Sequence, residues 1–189
     1  MTIQKQWAKL ETWLEKNAQE IHQGLNIGAT QEELNSFSTK TGLTLTEEFR
    51  SFYSIHNGQN EESPWIFDAT EFLSLERIFD EWTIWKDLLE GGDFDDTEGF
   101  PDQGIKNSWW NKHWIPFTYN GSGDHLCIDL DPTSDGSVGQ IIQMWHDEDT
   151  RSLEGSSLTE WFTNFVTKVS HDNYVFSDEY GGLINKEDL

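Results

Sequence analysis

Trp114–Asp131 reads WIPFTYNGSGDHLCIDLD, and Gly139–His146 reads GQIIQMWH. Between them the polar run DPTSDGSV carries Pro132 and Gly136, the chemistry of a turn. Both flanks are rich in Ile, Phe and Trp, which suit a pleated, half-buried surface. The pattern predicts an antiparallel pair at the middle of a sheet. Alternation along the first strand puts Leu126, Ile128 and Leu130 on one face and His125, Cys127 and Asp129 on the other. The apolar set is expected to lie against helices that cover one face of the sheet.

Upstream, Ile3, Trp7, Leu10, Leu14 and Ile21 recur at helical spacing, predicting an amphipathic helix from about Ile3 to Ile21 that ends in Gly24 to Gly28. Thr30-Gln31-Glu32-Glu33 has the form of a capping box and opens a short helix buried through Leu34 and Phe37, with Gly42 as its stop. Thr46-Glu47-Glu48 opens a third helix with Phe49, Phe52, Tyr53 and His56 on one stripe and Asn57-Gly58 as its terminus. His56 has no nucleophile or base pattern around it and reads as structural. Trp65–Phe67 and Glu71–Leu75 read as extended, and Leu75–Leu89 returns to helical spacing through Ile78, Phe79, Trp82 and Trp85. Downstream, Ser157-Leu158-Thr159-Glu160 is a second capping box, and Leu158, Trp161, Phe162, Phe165 and Val169 form its helix stripe. Tyr174, Val175, Phe176 and Tyr180 allow part of the tail to pack, while Asn185–Leu189 is expected to fray. The expectation is a single α+β domain over residues 1–189: a mixed or antiparallel sheet with helices packed around it.

At 189 residues with 10 Trp and 12 Phe, the chain has the material for a substantial core, and a domain of this size buries roughly 70% of its unfolded surface. Its 12 basic and 35 acidic residues leave a net charge of −23. That field repels phosphate backbones and anionic lipid, which argues against nucleic-acid and membrane partners and favours basic ones. Cys127 is the sole cysteine, so an internal disulfide and a cysteine-type metal site are both excluded. The charged start MTIQKQWAKLETWLEK lacks the apolar run of a signal peptide, and no stretch has the length of a bilayer span, so a cytoplasmic setting is expected.

The most acidic segment is Glu90–Asp102, EGGDFDDTEGFPD, whose Gly and Pro argue against regular structure. It reads either as a solvated loop or as a docking surface for a cationic partner. In the second case Asp93, Asp95, Asp96 and Glu98 are the candidate contacts.

Searches for chemistry return little. The calcium-loop pattern fails in DLDPTSDG whether counted from Asp129 or from Asp131, because Gln140 or Ile142 falls where the bidentate Glu is needed. His125, Cys127 and Asp129 on one strand face would need a fourth ligand such as His146 to hold a metal. Gly121–Gly123 is not a nucleophile elbow, and no phosphate-cradling glycine loop exists. Cys127, in a strand among apolar neighbours, lacks the surroundings that activate a thiolate. The expectation is a non-enzyme without cofactor or metal.

The order of these signals resembles the SUKH superfamily, in particular its branch of cell-wall-assembly-regulator-like proteins, many of them bacterial immunity proteins. The matching pieces are Ala29–Leu34, then Leu43-Thr44-Leu45-Thr46-Glu47-Glu48-Phe49-Arg50-Ser51-Phe52 with Asn57-Gly58. Trp114-Ile115-Pro116-Phe117, Gly123-Asp124, Leu126–Asp131, Gly139-Gln140-Ile141 and Ser157–Phe165 follow, so the resemblance runs from about Trp7 to Val169. Thr46 departs from it, since proline is usual there; threonine still caps a helix. The resemblance implies an α+β binding domain without catalysis. It also implies one of two roles: an immunity protein that neutralises a secreted toxin, often a nuclease with a basic cleft, or a regulatory interaction protein of the cell-wall-assembly type.

Overall fold

The computed structural model describes residues 2–189. Strands β5 (His125–Asp129) and β6 (Gln140–Met144) pair antiparallel, with Cys127 opposite Ile142 and Asp129 opposite Gln140. They sit inside a five-stranded sheet completed by β3 (Trp114–Pro116) beside β5, and by β7 (Thr150–Gly155) and β2 (Phe100–Pro101) beyond β6. The sheet is mixed, because β2 runs parallel to β7. This short strand lies inside the segment expected to be irregular. The Phe100 amide donates to the Asp149 carbonyl just before β7 and the Asp102 amide to the Arg151 carbonyl within it, and Pro101, which has no amide to give, falls between them on the sheet edge.

The helices cover both faces of the sheet, not one. On the side of Leu126, Ile128 and Gln143, α6 (Leu158–Ser170) packs on β6 and β7, and α1 (Ile3–Asn17) packs on α6. On the side of His125, Cys127 and Asp129, α5 (Leu75–Gly91) packs on β3 and places Trp85 against His125. The face assigned to polar residues is therefore as deeply buried as the other: His125 and Asp129 are 1% and 0% exposed. The polar side chains there are satisfied: His125 meets Trp85 of α5 and the Thr118 carbonyl, and Asp129 accepts from Gln140 and the Asp131 amide.

Two aromatic clusters build the core. Trp7 of α1 sits 4.7 Å from Phe162, 5.1 Å from Phe52 and 5.9 Å from Phe72, knitting α1 to α6, to α4 (Glu47–Tyr53) and to β1 (Glu71–Phe72). Trp82, Trp85, Phe94, Trp109 and Trp110 form the second, beneath α5. β1 pairs with β4 (Thr118–Tyr119), and β8 (Tyr174–Ser177) with β9 (Gly182–Asn185), as separate two-stranded sheets.

Several boundaries differ from expectation. The first helix breaks at Ala18, and α2 (Gln19–Gly24) carries Ile21. α4 ends at Tyr53 and not at Asn57-Gly58. Those two residues serve the next helix instead: Asn57 Oδ1 accepts the Leu75 amide, and Gly58 (φ +72°) lets the Leu73–Ser74 backbone approach within 2.3 Å of where a β-carbon would sit. His56 is structural, with its ring nitrogens 2.7 Å from Glu11 and 2.9 Å from the Asn26 carbonyl. Asn185–Leu189, expected to fray, is tied down. The Asn185 amide donates to Asp68, the Lys186 amide to the Asn173 carbonyl, and a 3₁₀ turn spans Lys186–Asp188. Those partners are remote in sequence, so nothing local announced them.

The Thr30 capping box forms in full at the start of α3 (Gln31–Thr41), and Glu33 sits below the usual carboxylate range through its bonds to the Thr30 backbone and hydroxyl. Thr30→Ala is expected to cost about 1 kcal/mol in urea denaturation; an unchanged midpoint would contradict that role. The second box is half a box. Ser157 caps the Glu160 amide, but the Glu160 carboxylate reaches Ser156 instead of Ser157.

Candidate functional site

One flank of α6 carries half-buried Trp161, exposed Asn164 and Lys168, and buried Phe165 at three- and four-residue intervals, so they share one side of the helix. Opposite them stand Leu126 of β5, Gln143 of β6, Trp145 just beyond it and Glu154 of β7. Between the two walls runs a groove of about 640 Å³, closed at one end by the Phe67–Thr70 turn and Tyr174. Its size lies within the range of ligand pockets, ~300–1,000 Å³.

The turn at the groove end is strained. Phe67 and Thr70 exchange backbone hydrogen bonds of 3.2 and 3.0 Å, leaving Asp68 and Ala69 at the centre with φ of 52° and 53°. Asn-Gly is the usual solution at such a pair, and a β-carbon at each position costs on the order of 1 kcal/mol. The C-terminal strands offset this: Asp68 accepts the Asn185 amide at 3.0 Å, and the Ala69 amide donates to Leu183 at 2.7 Å. Burial pushes the Asp68 carboxyl up, and burial with Asp68 alongside does the same to the Tyr174 phenol. Residues close to the C-terminus thus hold one lip of the groove.

Beyond Trp145, which lines the other side, the chain turns acidic. The β6–β7 turn exposes Trp145, Asp147, Glu148 and Asp149. His146 fastens it to the hairpin tip: its amide and its Nδ1 both lie 2.8 Å from Asp124, which also receives Asn120 at 2.6 Å. Burial would raise the Asp124 carboxyl, but these bonds hold it below its ordinary value, and the same contact raises the His146 imidazole.

Asp93, Asp95, Asp96 and Glu98 are all exposed, on a loop pinned by Phe94, which stacks 5.8 Å from Trp85 and 6.4 Å from Trp109. The Phe100 amide donates to the Asp149 carbonyl at 2.8 Å, and β2 pairs Phe100 with Thr150. The Glu98 end of the loop therefore abuts the acidic turn at the groove mouth. The groove itself and the Trp145–Asp149 turn went unread in the sequence. The available signal was an aromatic followed by His-Asp-Glu-Asp where a hairpin must turn.

The strand-face trio is occupied with structure. The His125 Nδ1–H donates to the Thr118 carbonyl (2.7 Å), so Nε2 is left to accept from the Trp85 indole (3.1 Å). Burial holds that imidazole down to about 4. Burial also drives the Cys127 thiol well up, and Asp129 accepts the Asp131 amide and the Gln140 side chain, each at 2.8 Å. His146 joins Asp124 and Asp147 instead, with ligand-type atoms within 4.8 Å of one another, so the four residues considered for a metal do not converge. A further charged cluster, Arg77 with Glu81 (3.1 Å) and Glu71 (3.7 Å), lies under Tyr119, and burial raises both carboxyls. No helix among the described residues is long and apolar enough to cross a membrane.

Comparison with known proteins agrees with this architecture. The chain is 27% identical to the KNR4/SMI1 homolog 2 of Debaryomyces hansenii, over 97% of this chain and 38% of that protein. It is 25% identical to the cell wall biosynthesis/cell cycle regulator smi1 of Schizosaccharomyces pombe, over 90% of this chain and 36% of the relative. It is also 24% identical to human F-box only protein 3, over 88% and 34%. The chain thus spans little more than a third of the length of these relatives. Residues 28–164 match the SMI1 / KNR4 family (SUKH-1), a span that takes in the sheet, α5 and the first half of α6. With most of its length inside that match, the chain belongs to the SMI1/KNR4 family (SUKH-1).

Proposed function

We propose that this chain is a non-enzymatic, protein-binding regulatory module that receives its partner in the groove between α6 and the sheet. The observation that carries this reading is the groove itself: aromatic side chains from α6 and the sheet set among polar ones, beside the acidic Trp145–Asp149 turn. Family membership supports it, since curated relatives are named as cell wall regulators. Those names favour the regulatory reading over toxin neutralisation. The toxin reading keeps one specific support, the charge of −23, which would draw a basic nuclease domain into fast, salt-sensitive association. A reducing, cytoplasmic setting suits the single buried thiol, Cys127.

Asn164 lines the groove from an exposed position, so Asn164→Arg fills the groove without touching the core. Captured from cells, the tagged variant should lose roughly tenfold or more of the partner retained by the parent chain, at unchanged melting temperature. Full retention would refute the groove as the binding site. With the captured partner in hand, neutralising Asp93, Asp95, Asp96 and Glu98 together should slow association about tenfold at low salt in stopped flow. Equal on-rates would remove the loop from the interface.

A further inference from the structure

The charges around the groove specify what can enter it. Asp68, Asp124 and Glu154 line it, against Lys168 alone among the lysines and arginines. Asp68 and Asp124 are spent on internal hydrogen bonds to Asn185 and to His146 and Asn120. Glu154 in the lining and Asp147, Glu148 and Asp149 in the turn after Trp145 are exposed to solvent, although Asp147 lies 3.7 Å from the His146 imidazole and Glu148 and Glu154 accept from Thr150 and Ser152. Trp145 stands among them, 37% exposed and facing the groove. An exposed indole face followed in the chain, after His146, by Asp147, Glu148 and Asp149 attracts an ammonium or guanidinium through the ring quadrupole and the carboxylate charge together. Deeper in, Trp161 and Leu126 offer an apolar surface. An acidic occupant would meet like charge at the mouth, and a purely basic one would leave that surface uncovered.

We propose that the groove takes an extended, basic segment of a partner protein, with an apolar side chain packed against Trp161 and Leu126 and a flanking Lys or Arg seated on Trp145 beside Asp147, Glu148 and Asp149. This rests on the reading of the groove as a protein-binding site and adds the chemistry of its occupant. The acidic loop ending at Glu98, joined to this lip through Phe100 and Asp149, extends the attracting field outward.

The test uses fluorescein-labelled synthetic peptides and the full chain in anisotropy titrations. One peptide alternates Lys or Arg with Leu, a second carries Glu at the basic positions, and a third keeps the basic residues but replaces Leu with Ser. The first should bind best, and its affinity should fall with added salt. Trp145→Ala, and separately the combined Asp147→Asn, Glu148→Gln and Asp149→Asn changes, should each weaken it by roughly tenfold, while Asn164→Arg should abolish it. Equal binding by the Glu peptide, indifference to the Trp145 and triple changes, or no binding by any peptide would each overturn the proposal. If no peptide binds while partner capture from cells still depends on Asn164, the binding-module reading survives and the basic extended segment does not.

Discussion

Replacing Arg151 by Met should lower the free energy of unfolding by about 3–5 kcal/mol, seen as a large drop in the urea midpoint at unchanged slope. Arg151 lies in β7 with no exposed surface, and no carboxylate faces it at ion-pair distance among the described residues. Its guanidinium is instead spread over backbone carbonyls. Nε and Nη2 donate to Trp109 at 3.2 and 2.6 Å, and Nη1 donates to Glu148 and Thr150 at 2.6 Å each. Trp109 also lies under it, 5.2 Å from ring centre to guanidinium carbon. Burial lowers the Arg151 pKa, a sign of what the charge costs where it sits. Methionine fills much of the volume but leaves three carbonyl oxygens without their donor, each worth about 1–3 kcal/mol when buried. Lysine should not rescue, because a single ammonium cannot present the planar fork that reaches both chain segments. Since Glu148 belongs to the acidic turn, the same variant should also loosen the lip of the groove. A loss below about 1 kcal/mol would show that the carbonyls find water instead.

The second large effect is on pH dependence and comes from His125. Its folded pKa is held down to about 4, against about 6.5 for an unfolded histidine. Between those values the unfolded chain binds a proton that the folded chain refuses. Stability must therefore fall as the pH drops from 6.5 towards 4, by about 3 kcal/mol for this group. The geometry explains the refusal. A proton on Nε2 would face the Trp85 indole N–H at 3.1 Å, donor against donor, with Glu81 farther off at 3.9 Å. Glu71 and Glu81 act in the opposite sense. Their raised values add stability that is complete below about 4.5 and is lost as the pH rises through their folded values. His125→Gln isolates the histidine: the amide can still donate to Thr118 and accept from Trp85 while giving up the titration. The stability difference between pH 7 and pH 4 should shift by about 3 kcal/mol in favour of the variant at acid pH. Parallel acid limbs in the two proteins would show that His125 is not the group responsible.

Local chemistry was enough for much of the fold. Periodicity and caps marked α3, α5 and α6 with their buried stripes, and the alternation in Trp114–His146 marked the central β5–β6 pair, because these depend on neighbours within a few residues. The limits of local chemistry show at Ala18, where the first helix breaks, and at Glu160, whose carboxylate chose Ser156 over the expected amide. That helices also cover the strand face of His125, Cys127 and Asp129 is not legible locally for a related reason. Polar residues look solvent-facing until the groups that satisfy them are known, and here those are Trp85 of α5, the Thr118 carbonyl, Gln140 of β6 and the Asp131 amide.

The candidate site divides in the same way. Composition alone determined that the chain is strongly anionic, and the run of acids in Glu90–Asp102 could be read directly. Only the tertiary structure put the end of that run against the Trp145–Asp149 turn, set Trp161 and Phe165 across from Leu126 and Gln143, and used the last strand to hold Asp68 and Ala69 at positive φ. Each of those juxtapositions depends on hydrogen bonds and packing between residues far apart in the chain, and no window of sequence contains both partners.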